Sequence, residues 1–144
     1  MRSANVSRIS EFYAAIDRYD MAAAMKLFAP DTVWVESPFP PSGGGVARGA
    51  AEIARDVLGP FVSLFSQLTV VRDRMIASGD DVVVLGRYRG VIASTGRDVV
   101  ARFSHAWTLH DGLIVRMEQL ADTAQLFLAA GYPLPPEIAR VAVA

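Results

Sequence analysis

The chain has 144 residues, with 14 Lys+Arg against 15 Asp+Glu and a formal charge of −1. That length fits one domain (1–144), and because neither sign forms a run, no nucleic acid and no anionic membrane is expected as a partner. The absence of cysteine excludes disulfides, thiolate metal sites and thiol catalysis.

The N-terminal stretch alternates polar and apolar residues at helical spacing, unlike a signal peptide, and no later segment is long enough to span a bilayer. A soluble, cytoplasmic protein is the expectation. Ile9, Phe12, Tyr13 and Ile16 recur at i, i+3, i+4, i+7, which predicts a first helix capped by Ser3 or Ser7. Asp20 is placed to cap a second, "MAAAMKLF", which ends before Pro30. "TVWVE" reads as a strand. Ser37 to Gly49 holds three prolines and four glycines, a loop of mixed stiffness in which "PSGGGVA" is expected to be mobile and to gate the mouth of a cavity. "AAEIARDVLGPFVSLF" predicts a third helix, broken near Gly59-Pro60.

The period then changes to two. "LTVVRDRMIAS", "DVVVLGRYRGVIAS", "DVVARFSHAWTLH" and "LIVRMEQLA" are four strands of an antiparallel meander, joined through Gly79-Asp80, Ser94 to Arg97 and Asp111-Gly112. "TAQLFLAAG" is a last short helix. Helices followed by a curved sheet make an α+β domain, a cone whose open mouth suits a small apolar ligand. The hydrophobic fraction of 52% and mean hydropathy of +0.29 are high for a small monomer. Part of the surface is therefore expected in an oligomer interface or along an apolar cavity. A homodimer through the sheet is expected, because the row Arg102, Ser104, Ala106, Thr108 and His110 holds enough small residues for close contact.

Three ionisable residues are candidates for chemistry. Asp122 heads "DTAQ", a capping-box pattern, so it is a helix cap, a base, or both. Strand alternation places it with Glu118 and Leu120, opposite Met117, Gln119 and Ala121, and a role in the cone needs the chain to re-aim it as the strand ends. His105 lies in the covered row Ala101, Phe103, His105, Trp107 and Leu109, as a bonded core residue or as an acid/base group in a cavity. Glu36 shares a face with Trp34 before the Pro/Gly loop. It is either an exposed strand end or a carboxylate at the mouth, where an apolar pocket would raise its pKa. The candidate ligand contacts are Phe12, Tyr13, Trp34, Trp107, Met117 and Gln119. Arg87, Tyr88 and Arg89 show no special spacing. No phosphate-binding glycine motif, HExxH or nucleophile elbow is present, and two histidines five positions apart give no metal site.

The element order, with "FYAAIDRYDMAAAMKLFAPDTVWVESP" at one end and "HAWTLHDGLIVRMEQLADTAQLF" at the other, resembles the SnoaL-like polyketide-cyclase and ketosteroid-isomerase group of the nuclear-transport-factor-2-like superfamily. The resemblance covers about Ser7 to Gly131, leaving 132–144 as a tail. It implies a cystatin-like cone with a curved sheet around the N-terminal helices. It further implies a cofactor-free isomerase or aldol-type cyclase acting on a small hydrophobic carbonyl compound, with no metal. On counting from "LFA", Glu36 matches the isomerase's proton-shuttling aspartate; on counting from the proline, Ser37 does. His105 matches a pocket-facing aspartate or histidine, and Asp122 the acid that such cyclases carry in a "D-T-A" context. Phe12 or Tyr13 falls near the isomerase's oxyanion-hole tyrosine. Phe103-Ser104-His105 lacks the Arg-x-Asp of the related epoxide hydrolases. The alternative is a ligand-binding or protein-interaction module of the same fold without turnover.

Overall fold

Ser3 Oγ accepts the Val6 backbone N–H at 3.1 Å and so starts α1 (Ala4–Asp17), whose Ile9, Phe12 and Tyr13 are fully buried. Asp20 caps α2 (Met21–Met25) in the same way, accepting from Ala23 N at 3.0 Å. The computed structural model describes residues 3–133 and 136, so most of the expected tail lies outside the described residues.

The second helix is shorter than its sequence suggests, because Lys26 and Leu27 turn out of it and Phe28 begins β1 (Phe28–Glu36). Pro30 sits inside that strand, at an irregularity between Phe28 and Val33 where its missing N–H costs no ladder bond. Part of the expected gating loop is also a strand. β2 (Gly45–Arg48) pairs antiparallel with β1, and glycine-rich composition hid this short edge strand. Gly44 turns the chain back with φ +76°, and a Cβ there would lie 2.6 Å from the Glu36 carbonyl oxygen.

The third helix does not break at Gly59-Pro60. It bends through α3 (Gly49–Ile53), a π-helical turn (Ala54–Leu58) and α4 (Gly59–Ser63). Pro60 has no N–H to give to the preceding turn, and the wider hydrogen-bond pattern absorbs the defect.

β3 (Phe65–Ser78), β4 (Asp81–Ile92), β5 (Asp98–His110) and β6 (Leu113–Ala121) form the expected meander, closed after β5 by Asp111 (φ 50°) and Gly112 (φ 77°). The six-stranded sheet runs β2-β1-β6-β5-β4-β3, with β1 and β6 parallel and the other pairs antiparallel. Register shifts at Phe65/Gln67 and Arg72/Arg74 insert extra residues into β3 and bend it. Glycine faces both bends from β4. A Cβ at Gly86 would run into the Val71 carbonyl oxygen and come within 2.6 Å of Phe103 Cζ. The sheet therefore curves without closing, and α1 fills its concave side. There Phe12, Phe28, Trp34 and Trp107 pack ring to ring with centroids 4.8 to 6.1 Å apart. α5 (Thr123–Ala129) follows β6. Among the described residues no helix is long and apolar enough to cross a membrane.

Candidate functional site

Strand alternation delivers four polar side chains to the concave face. On β1 the inward positions are Trp34 and Glu36; on β4, Val82, Val84 and Tyr88; on β5, Phe103, His105 and Trp107; on β6, Met117 and Gln119. His105 stands opposite Gln119 in the β5–β6 ladder. Glu36, His105 and Gln119 are 7%, 5% and 4% exposed. With Tyr13 and Tyr88 they meet in a cavity of about 40 Å³, otherwise lined by Phe12, Ile16, Trp34, Val57, Leu58, Phe61, Val62, Leu68 and Val70. The bent helical segment covers it, with Val57, Leu58, Phe61 and Val62 turned inward at helical spacing. A water needs about 10–15 Å³ on this scale, so the space holds a few waters and a larger ligand must displace covering side chains.

His105 is held at both ring nitrogens. Its Nδ1 lies 2.6 Å from the Tyr13 hydroxyl and its Nε2 2.7 Å from the Tyr88 hydroxyl. The Trp107 indole N–H donates to the Tyr13 oxygen at 3.1 Å, and Gln119 Nε2 donates to the Tyr88 oxygen at 2.7 Å. Burial penalises the imidazolium and pushes the His105 pKa down to about 3, so the ring is neutral. Burial raises both phenols, and the hydroxyls keep their protons; at Tyr13, the Trp107 bond and the charge of Arg72, whose guanidinium lies 5.1 Å from the ring centre, act in the opposite sense.

Among the described residues Glu36 is the one carboxylate in the cavity lining. Burial in this apolar setting pushes its pKa up to about 7, against the bonds from Trp34 and Gln119 that favour the anion. The Trp34 indole N–H donates to Glu36 Oε2 at 2.5 Å and fixes the group. Ser37 turns from the cavity toward β6, donating its N–H to Gln119 Oε1 at 3.3 Å and its hydroxyl to the Gln119 carbonyl oxygen at 2.8 Å.

The structure thus brings Glu36 and His105 together and leaves Asp122 apart. Asp122 is exposed, does not line the cavity, and makes no side-chain cap bond at α5. Its backbone N–H donates to the Arg102 carbonyl oxygen at 2.8 Å. Alternation continues unbroken to the strand end, so Asp122 keeps the outward sense of Glu118 and Leu120. Of the expected ligand contacts, Phe12, Tyr13, Trp34 and Gln119 line the cavity, whereas Trp107 and Met117 are buried and do not line it. Tyr88 and the covering residues Val57, Leu58 and Phe61 were not expected. The buried alternate row on β4 was the signal for Tyr88, masked by Arg87 and Arg89 on either side. Among the described residues no three His, Asp or Glu side chains cluster as a metal site requires.

Comparison with known proteins agrees with this architecture. The model of the SnoaL-like domain matches residues 9–117. An NTF2-like protein from Burkholderia thailandensis E264 is 35% identical, with a TM-score of 0.80 over 90% of this chain and 98% of its own. An NTF2-like protein of unknown function from Burkholderia pseudomallei K96243 is 28% identical, with a TM-score of 0.81 over 90% and 99%. TerC, crystallised with polyporic acid, is 28% identical, with a TM-score of 0.78 over 88% and 98%. No curated protein matches. With its family model spanning most of the curved sheet and the helices packed in it, the chain belongs to the SnoaL-like domain family.

Proposed function

We propose that the chain binds a small, largely hydrophobic carbonyl compound in this cavity and transfers a proton on it without a cofactor, as an isomerase or an aldol-type cyclase. Glu36 carries the reading. It is a carboxylate fixed in an apolar cavity with its pKa raised to about 7, so that it both takes and returns a proton near neutral pH. In the proposed step the carboxylate removes a proton from the carbon next to the carbonyl, and the electron pair of that C–H bond moves into an enolate. Return of the proton to the far carbon of a conjugated enolate shifts the double bond and isomerises the compound; attack of the enolate on a second carbonyl of the same molecule closes a ring, and the proton held by Glu36 passes to the new alkoxide. Neither path needs an added oxidant or reductant. His105 is not the base, because both its nitrogens are engaged and burial, which pushes its pKa down to about 3, leaves it a weak proton acceptor. Asp122 has no part, since it stands outside the cavity. The co-crystallisation of TerC with polyporic acid supports ligand binding in this fold.

The alternative of ligand binding without turnover is favoured by one observation, the small volume of about 40 Å³. Deuterium uptake from D₂O into the α-carbons of small cyclic ketones, beginning with cyclopentanone, separates the two readings. Catalysis predicts exchange above background, lowered on the order of a hundredfold in Glu36→Gln. Absence of exchange across the panel, or equal exchange in the variant, rejects the proposal.

A further inference from the structure

Protons can be counted along the chain Trp107–Tyr13–His105–Tyr88–Gln119. At one end, the Trp107 indole can only donate, and it donates to the Tyr13 oxygen. At the other, Gln119 Oε1 accepts the Ser37 N–H, which fixes the amide so that Nε2 donates to the Tyr88 oxygen. Both ends therefore give protons to the tyrosine oxygens and take none. Between them a neutral imidazole has one N–H and the hydroxyls have one proton each, while only the Tyr13–His105 and His105–Tyr88 gaps need filling. One hydroxyl proton is left over. Neither tyrosine oxygen bonds to a carbonyl or carboxylate among the described residues.

We infer that this surplus hydroxyl proton is the cavity's ligand-binding donor, and that the tautomer of His105 selects which tyrosine presents it. With the ring proton on Nδ1, Tyr88 is committed to Nε2 and the Tyr13 proton is free. With the ring proton on Nε2, Tyr13 is committed to Nδ1 and the Tyr88 proton is free. His105 is then a positioning residue that acts through its neighbours. The inference rests on the reading of the cavity as a ligand site and narrows the ligand. The compound must present a hydrogen-bond acceptor oxygen to whichever of the two hydroxyls holds the free proton; an apolar isostere leaves a buried O–H without a partner, and a compound whose only polar group is a donor meets another donor.

The test uses the full-length Glu36→Gln protein, which retains the network and removes the proposed base, labelled with ¹⁵N-histidine. His110, the only other histidine, is exposed, so the two sets of resonances separate. The probes are cyclopentanone and methylenecyclopentane, which has a CH₂ in place of the oxygen. The expected result is that the ketone binds about tenfold more tightly than the hydrocarbon, the scale of one buried hydrogen bond. Its binding should also move the two His105 ¹⁵N resonances in opposite senses, toward a single tautomer. Failure of the ketone to bind, equal binding of the hydrocarbon, or unmoved His105 resonances overturns the inference. Deuterium exchange by the wild-type protein is read separately. Ketone binding with tautomer selection but no exchange leaves the donor assignment standing and removes the catalytic reading; exchange without tautomer selection does the reverse.

Discussion

Glu36→Gln should change the pH dependence of stability in a predictable sense. Glutamine keeps the size of the side chain and an oxygen for the Trp34 indole N–H, but does not ionise. In the wild-type protein burial moves the Glu36 carboxyl from 4.5 to about 7, so the folded state holds a proton that the unfolded chain has released. Stabilisation from that proton is fully present below the unfolded pKa and is lost as the pH rises through the folded one. At about 1.4 kcal/mol for each tenfold difference in proton affinity, the loss is about 3 kcal/mol on an order-of-magnitude scale. His105 acts on the opposite limb. Its pKa falls from 6.5 to about 3, and the stabilisation from keeping the ring neutral is present above 6.5 and lost as the pH falls toward 3. That contribution is common to both proteins and cancels in their difference. Urea unfolding followed by tryptophan fluorescence, from about pH 4 to about pH 8.5, should show the variant gaining about 3 kcal/mol on the wild type as the pH rises. A difference that stays flat within about 0.5 kcal/mol, or that falls with pH, refutes the assigned burial of this carboxylate.

Asp122→Asn and Asp122→Ala should each change unfolding free energy by less than about 0.5 kcal/mol and leave ketone exchange untouched, because the side chain makes no cap bond; a loss of about 1 kcal/mol in the alanine variant alone would restore the cap. Gly86→Ala should cost on the order of 3 kcal/mol or prevent folding, as measured by denaturation, since its Cβ meets backbone at the bend of β3; a neutral result would remove the account of the sheet's curvature. A homodimer through the outer sheet face is expected, where Leu120, 66% exposed, lies opposite Ser104, which in turn faces Leu85. Leu120→Glu should yield a folded monomer by sedimentation, and a wild-type monomer at micromolar concentration would reject the interface.

The parts of the fold that were legible in the sequence are those whose periodicity is intact. β5 follows strict alternation over its whole length and β6 does so from Met117 onward, both strands end at the expected residues, and Ser3 and Asp20 cap by local chemistry that needs no tertiary context. β2 escaped because four residues with one buried side chain carry no periodic signal. The site was half legible. Glu36 and His105 are placed in the cavity by strand alternation that any reader can count. The tyrosine network joins residues 92 and 17 positions apart through a bent sheet, and no spacing rule reports such a meeting. Asp122 shows the converse, in that a motif consistent with both a cap and a base occupies a position where neither geometry is formed.

The central claim is that Glu36 is a carboxylate poised for proton transfer inside an apolar cavity. ¹³C NMR titration of the Glu36 carboxyl, identified by its loss in Glu36→Gln, tests this most directly. The account predicts an inflection near about 7. An inflection near the ordinary 4.5 would contradict it.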